Sequence, residues 1–308
     1  MGFQIRKAVV TGGSGPVGLA LIKKLLEEQI EILLLYRRES KKIIRVPQHE
    51  LLHMVCCSLQ ELNEYMPDEQ DYDAFFHLGW VNTWKPDREN LELQGVNVAY
   101  TCAAAELAAR CGCRVFVGAG SQAEYGRHDK ALLPDTLCVP ENAYGVMKLC
   151  ANHASRVVCH RFGIRHIWPR ILSGYGIYDN IHSVLNSTII GSLEGKKPEF
   201  SKGEQIWDFV HMDDIANALY LIALKGKDGV NYPIGSGDAK PLREYLTVLC
   251  AKLGNLQEAE FGKYPYGESQ IMHMEADISR LQEDTGWRPE ISFEEGIEGV
   301  ISFYRSKT

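Results

Sequence analysis

The sequence has no block of arginine or lysine. Its 33 basic and 40 acidic residues are spread along the chain for a net charge of -7, which argues against nucleic acid as a partner. No apolar run is long enough to cross a bilayer, so no membrane span is expected. The first strand is expected to begin near Ile5, leaving no room for a cleavable leader, and Arg6 stands where a myristoylation signal after Met1-Gly2 has Ser or Thr. Among nine cysteines there is no CxxC pair and no histidine at zinc-finger spacing. Cys56-Cys57 and Cys111-Gly112-Cys113 therefore read as buried thiols of a reducing cytoplasm, with no metal expected. Internal repeats and low-complexity linkers are also missing, so the parts of the chain should pack against one another.

What is present suffices for a large core: 308 residues, 45% of them apolar. Apolar strand-like runs alternate with helical patterns, the signature of βαβ units and a parallel sheet. The expected strands are Ala8 to Thr11, Glu31 to Tyr36, Ala74 to Gly79, Arg114 to Gly118 and Arg165 to Ile171. Val17, Leu21 and Leu25 make one apolar stripe, predicting a crossover helix between the first two strands. Asn97 to Arg110, rich in Ala and Leu, predicts a second. After Ile171 the alternation lapses and Gly, Ser, Tyr and Asn cluster from Ser173 to Asn180. The expected division is a doubly wound α/β domain over residues 1–172, joined by part of 205–235, and a smaller α/β region over 173–308.

Directly after the first strand comes Thr11-Gly12-Gly13-Ser14-Gly15-Pro16-Val17-Gly18, which matches TGxxGxxG. Positions without side chains allow a tight turn and let the backbone approach a pyrophosphate, whose charge a helix N-terminus favours. The second strand ends in Tyr36-Arg37-Arg38, about where NAD-specific Rossmann domains place an acid to hold the adenosine ribose. Two arginines there suit a 2′-phosphate, which favours NADP(H) over NAD(H). The other reading of Arg37 and Arg38 is a solvated basic loop.

Tyr144-Gly145-Val146-Met147-Lys148 sets a phenol and an ammonium one helical turn apart, able to reach one ligand. A nearby cation lowers a phenol's pKa and makes it a usable acid or base. Gly120-Ser121-Gln122-Ala123-Glu124-Tyr125-Gly126 offers the Ser121 hydroxyl at a strand's carboxyl end, where open α/β sheets bind ligands. A turn or capping serine is the alternative.

The set TGxxGxxG, a serine before YG, YxxxK about twenty residues later and Asp208-Phe209-Val210-His211-Met212-Asp213-Asp214 resembles the extended short-chain dehydrogenases/reductases that modify nucleotide sugars. Phe76-His77-Leu78-Gly79, Asn97, Gly203-Glu204-Gln205, Asp277 and Gly286-Trp287-Arg288-Pro289 extend the resemblance along nearly the whole chain. It implies Ser121, Tyr144 and Lys148 as catalytic residues. It implies cofactor contacts from Gly12, Ser14, Gly15, Pro16, Val17, Gly18, Tyr36, Arg37, Arg38, Leu78, Gly79, Tyr144, Lys148, Pro169 and Ile171. Trp80, Gln122, Ser173, His182 and Trp207 are the implied contacts to a nucleoside-diphosphate sugar, and a homodimer is left open.

Departures from the family pattern narrow the expectation. Gln122-Ala123 replaces the Asp-Glu pair of 4,6-dehydratases, which argues against dehydration. Asp179-Asn180-Ile181-His182 is similar to a segment of the GDP-fucose synthase-like enzymes, yet Ala123 stands where their cysteine would be. Ser173 replaces a frequent Asn, and Trp207 an Arg that contacts the diphosphate; Trp207 either stacks on a ligand or packs in the core. The leading expectation is NADPH-dependent reduction of a nucleotide-linked 4-keto-deoxyhexose, with Tyr144 giving the proton and Ser121 holding the oxygen. A 4-epimerase with bound NAD and a non-catalytic NADP(H) sensor or scaffold are the alternatives.

Overall fold

The computed structural model describes residues 3–84, 86–268 and 270–307; the Met1-Gly2 start, on which the expectation about myristoylation falls, lies outside the described residues. Six parallel strands form the central sheet: β1 (Lys7–Thr11), β2 (Glu31–Tyr36), β3 (Leu52–Cys56), β4 (Ala74–His77), β5 (Val115–Gly118) and, beyond the two-residue β6 (Gly120–Ser121), β7 (Arg165–Ile167). Their order is β3-β2-β1-β4-β5-β7, so the chain starts in the middle of the sheet and winds outward in both directions. This is the doubly wound Rossmann arrangement, whose ligand crevice opens where the strand order reverses, beyond the carboxyl ends of β1 and β4.

Helices cover both faces, which is why the inner strands read as unbroken apolar runs such as Ile32-Leu33-Leu34-Leu35. On one face Val10, Leu34 and Phe76 meet α1 (Pro16–Glu27) and the later helix Met212–Lys225 through Leu21, Leu25, Ile215 and Leu219. On the other, Val9, Phe75 and Phe116 meet α2 (Leu91–Arg110) and α3 (Ala143–Arg161) through Ala104, Leu107, Ala108 and Ala151. The alanines let α2 lie close to the sheet.

Beyond β7, strands shorten to two or three residues. Ser173–Tyr175 pairs with Phe209–His211, and a separate core gathers around Tyr175, Phe209, Tyr245 and Ile301. The buried Asp208 carboxylate accepts the N–H groups of Ser236, Gly237 and Ala276, tying two distant loops to this region.

Four expectations need correction. β3 went unread because only Leu52 of it is buried while His53 and Met54 face solvent, which erases the apolar signal of this edge strand. α2 begins at Leu91, where the Asn90 side chain accepts the Leu93 N–H as a cap, well before Asn97. The single strand expected over Arg165 to Ile171 is two, β7 and β8 (Arg170–Ile171), parted at Pro169, which has no N–H to give a ladder. Not all cysteines are buried: all nine are free thiols, but Cys56 and Cys150 are exposed. Among the described residues no helix is long and apolar enough to cross a membrane.

Candidate active site

The glycine turn and the segment after β4 make one surface. Gly12 has φ +75°, and a Cβ there would lie 2.6 Å from Gly79 N and from the Leu78 carbonyl carbon, so only glycine lets these backbones touch. Thr11 Oγ1 hydrogen-bonds His77 Nδ1 at 2.9 Å, and Thr101 Oγ1 lies 3.3 Å from Nε2. Burial pushes His77 down to about 3, so it stays neutral and serves as a strut between β1, β4 and α2. Pro16 opens α1 without a side-chain cap, leaving the first N–H groups of the helix facing the Ser14-Gly15 turn. A cradle of open N–H groups at a helix N-terminus fits a pyrophosphate.

Ser14 Oγ reaches Ser40 Oγ at 3.3 Å, joining this turn to the loop after β2. Tyr36 is half-buried there, while Arg37 and Arg38 are exposed. The Cys56 thiol at the end of β3, Glu39 and Glu61 are near enough to act on the charge of Arg38. This edge of the crevice therefore carries two exposed arginines within three residues of Ser40.

Two caps bring Ser121 and Tyr144 together. Asn142 caps α3 by accepting the Gly145 N–H at 2.8 Å, and a Cβ at Gly145 would meet the Ala123 oxygen at 2.2 Å. Glycine at that position lets the first turn of α3 press against the segment that follows β6. Ser121 caps that segment, accepting the Ala123 N–H, while Glu124 returns the bond by accepting the Ser121 N–H at 2.8 Å. The Ser121 hydroxyl also acts on the Tyr144 phenol, favouring its ionised form. Ser121 is thus a capping serine and a partner of the tyrosine at once.

Lys148 is buried and donates to the Ala119 carbonyl oxygen at 2.6 Å. Its Nζ lies 3.9 Å from the centre of a Trp80 ring and 5.8 Å from that of Tyr144. Trp80 packs edge-on against Tyr144 at 5.8 Å, its indole N–H held by Gln94 Oε1 at 2.8 Å. The expected lowering of the Tyr144 pKa is not met. Burial pushes the phenol up, and the groups that pull back are the Arg88 guanidinium and the Ser121 hydroxyl, not the Lys148 charge. Lys148 is itself pushed down by burial, from 10.5 to about 7, with Glu124 partly opposing the shift.

Between about pH 7 and 10.5 the unfolded chain holds a proton on Lys148 that the folded protein has released, so folding becomes more favourable as pH rises through that window. Urea unfolding of the protein and of Lys148→Met at about pH 6 and about pH 9.5 should show the native lysine gaining stability relative to methionine at the higher pH. A constant difference between the two proteins would refute the depressed lysine.

Glu124 is fully buried. One carboxylate oxygen accepts Trp168 Nε1–H at 2.9 Å, the other Arg170 Nε–H at 2.8 Å, and Arg170 stacks on Tyr125 at 4.4 Å. Pro169 and Ile171 flank this pair, and the Pro169 oxygen accepts the Gly120 N–H at 2.7 Å. Gln122 is half-buried on the Ser121 turn. Ser173 donates to the Met274 sulfur at 3.2 Å. Trp207 is half-buried between the core around Phe209 and that around Tyr125 and Leu172, so it is neither free nor fully enclosed. His182 is exposed in the loop before the helix Val184–Leu193, and among the described residues its ring makes no hydrogen bond.

Arg88, Gln94 and Glu124 belong to this site and were not read from the sequence as members of it. The Ser121-x-x-Glu124 spacing of a capping box was a usable signal for Glu124. Arg88 sits in the single turn Asp87–Glu89, too short to leave a periodic pattern, and carried none.

The model of the NAD dependent epimerase/dehydratase family matches residues 8–235. A dTDP-glucose 4,6-dehydratase of Shigella flexneri is 27% identical over 180 residues, covering 56% of this chain and 50% of that protein. The chain thus spans about half the length of the first curated relatives it matches. Among solved structures, a UDP-N-acetylglucosamine 4-epimerase of Methanobrevibacter ruminantium superposes with a TM-score of 0.88 at 20% identity, covering 99% of this chain and all of that one. DesIV, a dTDP-glucose 4,6-dehydratase of Streptomyces venezuelae with NAD bound, gives 0.84 at 20% identity over 97% of each chain. At such identities the likeness to these structures is one of fold.

Proposed function

This chain belongs to the NAD-dependent epimerase/dehydratase family, and from that premise we propose that it is an NAD(P)-dependent oxidoreductase acting on a nucleotide-linked sugar. We infer further that it reduces a 4-keto sugar with NADPH. The observation that carries the reading is the meeting of Ser121, Tyr144 and Lys148 from two separate elements, beside the glycine turn. A nicotinamide, when bound, gives or accepts a hydride at a sugar carbon.

The chain's own residues manage the proton and the oxygen. Tyr144 gives its phenolic proton to the developing alkoxide, and Ser121 donates a hydrogen bond to the same oxygen. Lys148, fixed by the Ala119 carbonyl and Trp80, supplies the ammonium for the cofactor ribose hydroxyls. Gly12, Gly15, Val17 and Gly18 receive the pyrophosphate, with Leu78 and Gly79 behind them. We assign Trp80, Gln122, Ser173, His182 and Trp207 as the contacts to the sugar nucleotide, of which His182 is exposed and Trp207 half-buried.

Dehydration, the activity in the names of the curated relatives, fits poorly. It needs a free acid beside Ser121, and Ala123 offers none. Glu124 is engaged by Ser121, Trp168 and Arg170 and cannot reach a leaving hydroxyl. A 4-epimerase, which would use the same Ser121, Tyr144 and Lys148, is the second reading.

The arginines after β2 support NADPH, because a 2′-phosphate between Ser14, Arg37, Arg38 and Ser40 would meet charge and hydroxyls together. In fluorescence titrations the protein should bind NADPH at least tenfold more tightly than NADH, and Arg38→Ala should erase most of that ratio. Equal binding of both cofactors, or tightly retained NAD, would instead establish the 4-epimerase reading.

A further inference from the structure

The loop between β4 and α2 is held rigidly from behind. The fully buried Gln94 donates to the Asn82 and Asp87 oxygens at 2.6 and 3.1 Å while accepting from Trp80. Asn97 grips both backbone groups of Val81, at 2.8 and 3.2 Å. The turn Asp87–Glu89 is closed by Arg88 N–H to the Trp84 oxygen at 2.9 Å. From this scaffold the Arg88 guanidinium lies 3.9 Å from the centre of the Tyr144 ring, and Trp80 closes on the same ring edge-on. Among the described residues Arg88 makes no ion pair with a carboxylate, so its charge is not spent on a surface partner.

We propose that Arg88 is a positioning residue for Tyr144: stacked on the phenol, it fixes the ring toward Ser121 and favours the ionised form. The proposal rests on Tyr144 being the proton carrier of the proposed reaction. A guanidinium on a ring face is attracted by the ring's negative quadrupole, and more strongly by a phenolate than by a phenol. The other charged and polar groups around Tyr144 do not replace it. Lys148, on the same helix, is turned toward Trp80 and Ala119. Ser121 is neutral, and Glu124, behind Ser121, acts in the opposite direction. Burial of the phenol is the cost that Arg88 offsets, in the place the sequence had assigned to Lys148.

The test is a pH titration of the full-length protein carrying 13Cζ-labelled tyrosine, the Tyr144 resonance being the one lost in Tyr144→Phe. Arg88→Gln should move the Tyr144 midpoint upward by about one unit, a tenfold loss of phenolate at fixed pH. Arg88→Lys, which keeps the charge and loses the planar stack, should recover part of it. An unshifted midpoint in Arg88→Gln overturns the proposal. Should Arg88→Gln fail to fold, Arg88→Lys decides alone: a midpoint identical to the native protein's overturns the stacking role, and an upward shift supports it. The titration needs no substrate, so it stands even if the sugar-nucleotide reading fails. Where turnover is found, the limb of the kcat profile governed by Tyr144 should move with the resonance while the KM for cofactor stays constant.

Discussion

Tyr144→Phe should lower turnover about a thousandfold while leaving cofactor affinity within about twofold of the native protein. The phenol is the one group at the site with a transferable proton, the Ser121 hydroxyl acting on it and a cation stacked on its ring. Phenylalanine keeps the ring, and with it the packing against Trp80 and Arg88, so the fold and the cofactor surface around Gly12 should be undisturbed. NADPH oxidation with a panel of nucleotide-linked 4-keto sugars, and in parallel the interconversion of nucleotide hexoses at carbon 4, would measure the loss. Comparable rates in both proteins would remove Tyr144 from the chemistry. Binding of NADPH without turnover of any sugar nucleotide would return attention to a cofactor sensor.

The comparison with Lys148 sharpens this expectation. An ammonium enclosed by Trp80 and the Ala119 carbonyl and pushed down to about 7 is a weak source of positive charge for its neighbours near neutral pH. The two positions of the YxxxK pattern are thus close in space, yet the charges that act on the phenol are those of Arg88 and Glu124. Spacing alone locates such a pair on one helical face; the burial that decides which cation acts on the phenol comes from elements distant in sequence.

The same distinction separates what was legible in the sequence from what was not. Strands β1, β2, β4 and β5 could be read because burial on both faces leaves an apolar run that needs no knowledge of neighbours. The glycine turn could be read because its steric demand is local: Gly12 must take a positive φ beside Gly79. Edge strand β3 and the start of α2 escaped, the first because one exposed face dilutes its pattern, the second because Leu91 to Val96 carries mixed polarity and the cap at Asn90 is the only marker. Within the site, Ser121, Tyr144 and Lys148 stood out through motif spacing. Arg88 and Gln94 did not, since their roles depend on how an irregular loop folds back over α3. Trp207 divided two readings evenly for the same reason: its side chain lies between two cores, a position that only tertiary packing defines.

Glu124 marks the point where fold and chemistry depend on one side chain, and Glu124→Ala should cost about 3–5 kcal/mol, the usual effect of stranding one member of a buried ion pair. Arg170 would remain enclosed, with only 3% of its side chain exposed and no carboxylate to meet it. For a chain of this size the loss corresponds to a fall in Tm on the order of 10 °C. Ser121 would also lose the acceptor for its N–H and half of its capping box, so turnover should drop even at temperatures where the variant is folded. Glu124→Gln can keep one acceptor for Ser121 and Trp168, and should preserve more of the fold than of the Arg170 contact. The decisive comparison is Glu124→Leu with Arg170→Met in one chain. If the cost arises from an uncompensated buried charge, the apolar pair should recover most of the stability while leaving turnover impaired, because packing can replace the ion pair but not the bond that aims Ser121. An unfolding midpoint for Glu124→Ala equal to the native one would show that Arg170 finds water or another partner, and that the pair holds the site without holding the fold.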